Sequence, residues 1–428
     1  MKKSIIVTGV YSPGVGLSNV MVNLVRHLAA HFRVVCIGFD PEKKDNEVIK
    51  DMVYGCDVYV YPVGGTANLF KIERQDIEFY IGLYDPVCIV TLGPVMFNRY
   101  LLVLLQQYRA AMKVVSYISV EGKLADVNFL KYVRLIDYCI FYTAAVYNDF
   151  NRLLPEYPAP DNGFGLLRSA YAGHGVDRQR FYPLPAANEK ERRKKAREII
   201  YKHHAADENS FIILNMNRPS HRKNIWATIA GFRQFAAGKK NVFLHLHIGT
   251  TEAAVGEKYR QLAAAADLSD RVIITPEPGD LHVKPEDWLN TLYNACDVGL
   301  STSKGEGWGL GLFEHAATRA AILAPKHTSF LENWRDAALL MPCSEKQFVF
   351  YEYCDMYLVS PEEVCRSLDR LYADRALLEK TAADCYNRIR EPKFGWENVA
   401  EKFRQIICEI TGAADALTVK PVAGTVSI

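Results

Sequence analysis

Apolar positions along the chain fall into short β-branched runs, each followed by a loop and then an amphipathic stretch. Residues 4–10 read SIIVTGV and lead into SNVMVNLVRHLAAHF, and the runs RVVCIGFD (33–40), PVCIVTLG (86–93), KVVSYIS (113–119) and YCIFYTA (138–144) continue the pattern. Continuous apolar strands alternating with helices predict a parallel sheet covered on both faces. The pattern pauses at 177–204, DRQRFYPLPAANEKERRKKAREIIYKHH, where Pro183 and Pro185 precede a charged helix. It restarts with SFIILNMNR (210–218), NIWATIAGFRQFA (224–236), VFLHLHIG (242–249), RVIITPEP (271–278), VGLSTS (298–303) and AAILAP (320–325). The organisation expected is two doubly wound α/β domains, residues 1–182 and 183–390. A helix over 391–411 and a flexible tail over 412–428 follow.

A length of 428 residues suits two such cores. With 49% hydrophobic and 23% charged residues and a net charge of +2, the chain reads as a globular protein without the basic bias of a nucleic-acid binder. Interleaved glutamates make the basic run Arg192, Arg193, Lys194, Lys195 and Arg197 read as a solvated helix face. The ten cysteines form no CxxC pair and no zinc-like spacing, so buried apolar roles are expected. The first apolar run reaches a glycine loop too soon for a signal peptide, and no segment approaches the roughly 18 apolar residues of a membrane span. A cytoplasmic protein, with at most peripheral membrane contact, is the expectation.

Chemistry concentrates in SKGEGWGLGLFEH (303–315). VGLSTS before it reads as a buried strand and GLFEHAATRAA after it as a helix, so the glycines form a strand-to-helix turn. In open α/β sheets ligands sit at such turns, and a helix N-terminus suits phosphate. A glycosidase pair needs carboxyls about 5–5.5 or 6.5–9.5 Å apart, whereas eight helical residues separate Glu306 from Glu314 by roughly 12 Å along the axis. Hydrogen bonding to hydroxyls fits better: Glu314 on a ribose, Glu306 on a second polyol, phosphates between them. That describes a nucleotide sugar.

These residues resemble the retaining glycosyltransferases of GT-B architecture, glycosyltransferase family 4 (glycosyl transferases group 1) in particular. EGWGLGLFE matches the E-x7-E element, Arg218 and Lys223 in NRPSHRKN match the Arg-x4-Lys of a second block, and AGHGVDRQRFYPLP and FGWENVAEKFRQII resemble two further signatures. The resemblance covers most of the chain from about residue 170. It implies two Rossmann-like doubly wound domains facing a central cleft, the first on the acceptor side and the second on the donor side. The last helix would pack back on the first domain. The implied activity is a hexosyltransferase-type, metal-independent transfer from a UDP-, GDP- or ADP-sugar to a hydroxyl acceptor, with retention and no cofactor.

By the same resemblance Glu306, Arg218 and Lys223 are catalytic, and Gly307, Trp308, Gly309, Leu310 and Glu314 bind donor. The loop GVYSPGVGLSN (9–19) lacks the third glycine of a dinucleotide fingerprint, so no dinucleotide is expected. In the family it faces donor phosphates, making Gly14 and Gly16 backbone donors and Tyr11, Ser12 and Asn19 acceptor-side candidates. The chain departs from the family after KVVSYISVEGK (113–123): Glu121 stands where many members carry a histidine, either contacting acceptor or sugar or serving as a loop acid. His174 is expected to pack locally. Other readings left open are a GT-B phosphorylase or epimerase, a DNA-base glycosyltransferase, and a non-catalytic GT-B binding protein.

Overall fold

The computed structural model describes residues 2–43, 45, 47–63, 70–156, 168–249, 253–276 and 286–412. The expected tail, apart from Gly412, lies outside the described residues. The chain packs into two compact units, one of residues 1–117, 135–139 and 400–428, the other of residues 118–134 and 140–399.

In the first unit every residue of the strand Ser4–Val10 is buried, as a run with no polar alternation requires. Parallel neighbours flank it, Arg33–Asp40 on one side and Pro86–Leu92 on the other. Cys56–Pro62 lies beyond the former and Lys113–Ile118 beyond the latter, both parallel, and Ile49–Val53 closes the first edge antiparallel. The helix Gly16–Leu28 buries Ser18, Val20, Met21, Leu24, Val25 and Leu28, the one-sided spacing of an amphipathic helix.

The second unit holds a six-stranded sheet in the order Val272–Thr275, Val242–His247, Phe211–Met216, Val298–Leu300, Ala321–Pro325, Leu339–Met341. All five pairings are parallel. Numbered along the chain from Phe211–Met216, the order is 3-2-1-4-5-6, that of a Rossmann sheet. The order reverses between Phe211–Met216 and Val298–Leu300, and ligands bind outside the carboxyl ends of strands at such a reversal. The core behind it joins Ile213, Phe232, Phe235, Leu244, Val298, Leu323 and Leu368.

The basic helix Glu189–Ile200 departs from the solvated face read in the sequence. Arg192 and Arg197 are buried. Arg197 bonds Asp297 at 2.7 Å and donates to Ala295 O, and Asp297 also accepts from Ile212 N. Arg193 reaches Cys296 O at 2.7 Å. The cluster therefore ties this helix to the sheet; only Lys194 and Lys195 keep exposed ion pairs, with Glu208 and Glu191. All ten cysteines are free and most are buried. Among the described residues no helix is long and apolar enough to cross a membrane.

Candidate functional site

Two loops leave the carboxyl ends of the strands that flank the reversal. After Phe211–Met216 the chain passes Arg218, which is exposed, and tightens into a turn at His221–Lys223. Asn224 then takes a left-handed conformation (φ 50°) and starts the helix Ile225–Ala236; asparagine tolerates that region better than most residues. After Val298–Leu300, residues 301–309 lead to the short helix Leu310–Ala316, entered through Gly309 at φ 91°. A Cβ on Gly309 would also stand 2.7 Å from the Phe330 ring.

The loops are stitched together. Thr302 donates to Asn224 O at 2.9 Å and shares a 2.7 Å bond with Thr228, whose hydroxyl accepts from Asn215. Lys304 N donates to Arg222 O at 2.9 Å. Ser329 donates to Glu306 O at 2.7 Å, and the His327 ring bonds Ser303 O at 2.8 Å.

This stitching places Glu306 between two cations. Lys223 Nζ pairs with its Oε1, and Arg222 lies 3.1 Å from Oε2. Arg222 also pairs with Glu121 and donates to Gly305 O. The close passage depends on glycine: a Cβ on Gly305 would fall 1.7 Å from Glu121 O, and one on Gly307 3.2 Å from Ser119 Cβ.

Burial alone would raise the Glu306 carboxyl, but Lys223 and Arg222 outweigh it and hold it down to about 2. Burial lowers Lys223 against the pull of Glu306. Glu121 is raised by burial against the opposing charge of Arg222. Glu314, buried on the short helix, accepts from the Tyr293 hydroxyl at 2.8 Å. Burial pushes its carboxyl up to about 7, and the Tyr293 bond only moderates this.

The structure thus brings Lys223, Glu306 and Glu121 into one ionic lattice and leaves Arg218 exposed, outside it. Arg222, which the sequence reading passed over, is its central cation. Trp308 is buried, stacked on Phe313 at 5.1 Å and next to His174. His174 packs as expected among Tyr142, Trp308 and Trp396, and burial lowers its ring to about 3. A cavity of about 830 Å³ lies at Trp308, lined also by Gly122, Lys123, Tyr142, His327 and Tyr357. Among the described residues no three His, Cys, Asp or Glu side chains are placed to hold a metal ion.

Within the first unit, Gly14 sits at φ 74° in open space and Gly16 begins the helix Gly16–Leu28. Ser12 N donates to the Ser18 hydroxyl at 3.2 Å. The Tyr11 hydroxyl donates to Asp51 at 2.7 Å, and Asn19 lies on the first turn, half-buried.

No family model matches the sequence, and no curated protein matches it. Solved structures do. The sucrose-phosphate synthase of Thermosynechococcus elongatus matches with TM-score 0.73 and 16% identity over 96% of this chain and 100% of that one. Anabaena HepE, in complex with UDP and glucose, gives 0.68 and 13% over 95% and 100%. A trehalose-6-phosphate synthase studied for glycosyl transfer with retention gives 0.66 and 12% over 95% and 99%. The fold is GT-B. Two Rossmann-like units, the second in 3-2-1-4-5-6 order, agree with that architecture.

Proposed function

We propose that the protein is a glycosyltransferase that moves a sugar from a nucleoside diphosphate-sugar to a hydroxyl acceptor. The observation that carries this reading is the lattice of Lys223, Arg222 and Glu306 on two loops at the sheet's reversal point. A departing diphosphate develops negative charge, and cations held in a water-poor site stabilise it without reorganising. Lys223 and Arg222 supply such cations, with Arg218 at the rim for the outer phosphate. Glu306 then turns from its cations toward sugar hydroxyls, and Glu314 accepts from the ribose. The backbone near Gly307, Trp308, Gly309 and Leu310 adds N–H donors. Fold likeness to proteins described with UDP and glucose supports a nucleotide-sugar donor.

The finer assignments belong to the same proposal. Retention is favoured by the family 4 motifs and by the likeness to a synthase described as acting with retention. Metal independence is part of the proposal, and the two protein cations at the site, Lys223 and Arg222, support it as counter-charges for the leaving group. We assign 1–182, with Tyr11, Ser12, Asn19 and Glu121, to the acceptor side and 183–390 to the donor side, with Gly14 and Gly16 reaching the donor phosphates through their backbone N–H groups.

The test is a panel of UDP-, GDP- and ADP-sugars, with and without EDTA, read by thermal shift and by slow release of nucleoside diphosphate. One donor should stabilise the protein and be consumed, EDTA should change neither, and Glu306→Ala and Lys223→Ala should abolish release. A folded protein indifferent to every donor defeats the proposal.

A further inference from the structure

Beside the lattice stands a β-hairpin, Glu345–Val349 paired antiparallel with Cys354–Leu358. Its tip carries Phe350 and Tyr351, exposed by 73% and 71%, with Phe348 at 45% on the strand before. Rings so exposed forfeit the burial that usually justifies an aromatic side chain. Tyr353 closes the tip in the left-handed region at φ 54°, a conformation that non-glycine residues seldom adopt. Backbone strain of this kind gathers at ligand sites.

The hairpin is fastened to both halves of the site. Asp355 and Cys354 pair with Lys123 and Leu124, directly after Glu121. Ala125 N donates to Tyr353 O at 3.0 Å, and Tyr357 N donates to Lys304 O at 2.7 Å, two residues before Glu306. Gly122 permits this approach, since a Cβ there would lie 2.4 Å from Asp355 O. Glu352, next to the two exposed rings, is raised to about 7 by burial and by the charge of Glu121, while Arg222 pulls the other way. The tip is therefore continuous with the group that would meet the reacting sugar.

We propose that Phe350 and Tyr351 form a platform on which a sugar ring of the acceptor stacks, so that the acceptor is an oligosaccharide or carries one. The inference rests on the glycosyl-transfer reading above. An exposed aromatic ring offers a flat apolar face to the C–H face of a pyranose, and Glu352, beside the rings, offers an acceptor to its rim hydroxyls, whereas Asp355 is buried and held by Lys346 at 2.9 Å. The charge of the hairpin argues against a bilayer as the occupant: Glu345, Glu352 and Asp355 outnumber Lys346, whereas a surface that docks on anionic lipid is rich in lysine and arginine.

The experiment titrates maltohexaose, cellohexaose and chitohexaose, and separately UDP, into wild type and Phe350→Ala/Tyr351→Ala by calorimetry. Because both rings are exposed, the variant should keep its melting temperature. At least one hexaose should bind wild type and bind the variant about tenfold or more weakly, with UDP affinity equal in both. The proposal is overturned if no hexaose binds wild type, or if the variant binds as well. It is overturned equally if the rings instead drive co-sedimentation with phosphatidylglycerol vesicles. Ring-dependent hexaose binding in a protein that ignores UDP and every other donor nucleotide sinks the donor reading and leaves the platform standing.

Discussion

Glu314 is the single residue whose protonation most directly reports the proposed donor site. Burial raises its carboxyl to about 7, so near neutrality it is half ionised. Only the carboxylate accepts from both ribose hydroxyls. Nucleotide affinity should therefore rise between pH 6 and 8 by close to an order of magnitude, roughly the change in ionised fraction. Glu314→Gln should flatten the curve, and calorimetric titration across that range checks it. The sign for folding is opposite. A carboxyl raised above its unfolded value stabilises the fold below about pH 4.5, and that contribution fades as pH climbs through about 7. An affinity that falls over the same interval removes the ribose role. At this scale the glycine spacing and the apolar strand before it pointed to the turn that carries Glu306 and Glu314 without any knowledge of packing, whereas Lys223 entered only through the family resemblance. Arg222 was illegible for a physical reason: whether Arg218 or Arg222 faces Glu306 depends on the turn at His221–Lys223 and the left-handed Asn224, which no periodicity encodes.

Among elements, the strands were the easiest to read, since a strand covered on both faces must be apolar at every position. The basic helix misled because its arginines are neutralised by Asp297 and carbonyls more than 90 residues away in sequence, and tertiary partners leave no local trace. The hairpin Glu345–Leu358 was likewise unread, its alternation being broken by the aromatic tip. The glycine loop 301–309 lends itself to a direct test. Gly305→Ala puts a Cβ 1.7 Å from Glu121 O, so the loop must shift and carry Glu306 with it. A displacement near 1 Å in a positioning group costs on the order of 10²-fold in rate, and donor turnover should fall by at least about that much. Gly82→Ala is the control: it lies in the helix Arg74–Tyr84 with open space around it, and there alanine should stabilise by roughly 0.4–1 kcal/mol with turnover unchanged. Equal turnover in the two variants contradicts the tight passage at Gly305.

On the scale of the whole molecule, the five tryptophans are distributed unevenly. Trp226, Trp288, Trp308, Trp334 and Trp396 all fall in the second compact unit, none in the first. Intrinsic tryptophan fluorescence consequently follows the unfolding of that unit, whereas far-ultraviolet circular dichroism averages over helices of both. The lattice and Glu314 belong to the second unit as well, so a bound nucleotide acts on the unit that fluoresces. Saturation at about 100 times the dissociation constant stabilises the binding-competent state by about 2.7 kcal/mol. For a unit of this size that amounts to roughly 5 °C in the melting midpoint. Addition of the cognate nucleoside diphosphate should therefore raise the fluorescence midpoint by that much and the dichroism midpoint by less, broadening the latter. Coincident shifts in both signals would mean that the two units unfold as one cooperative body. A dichroism shift larger than the fluorescence shift would place the nucleotide on the first unit, and with it the donor site on the loop of Gly14 and Gly16 instead of on Lys223 and Glu306.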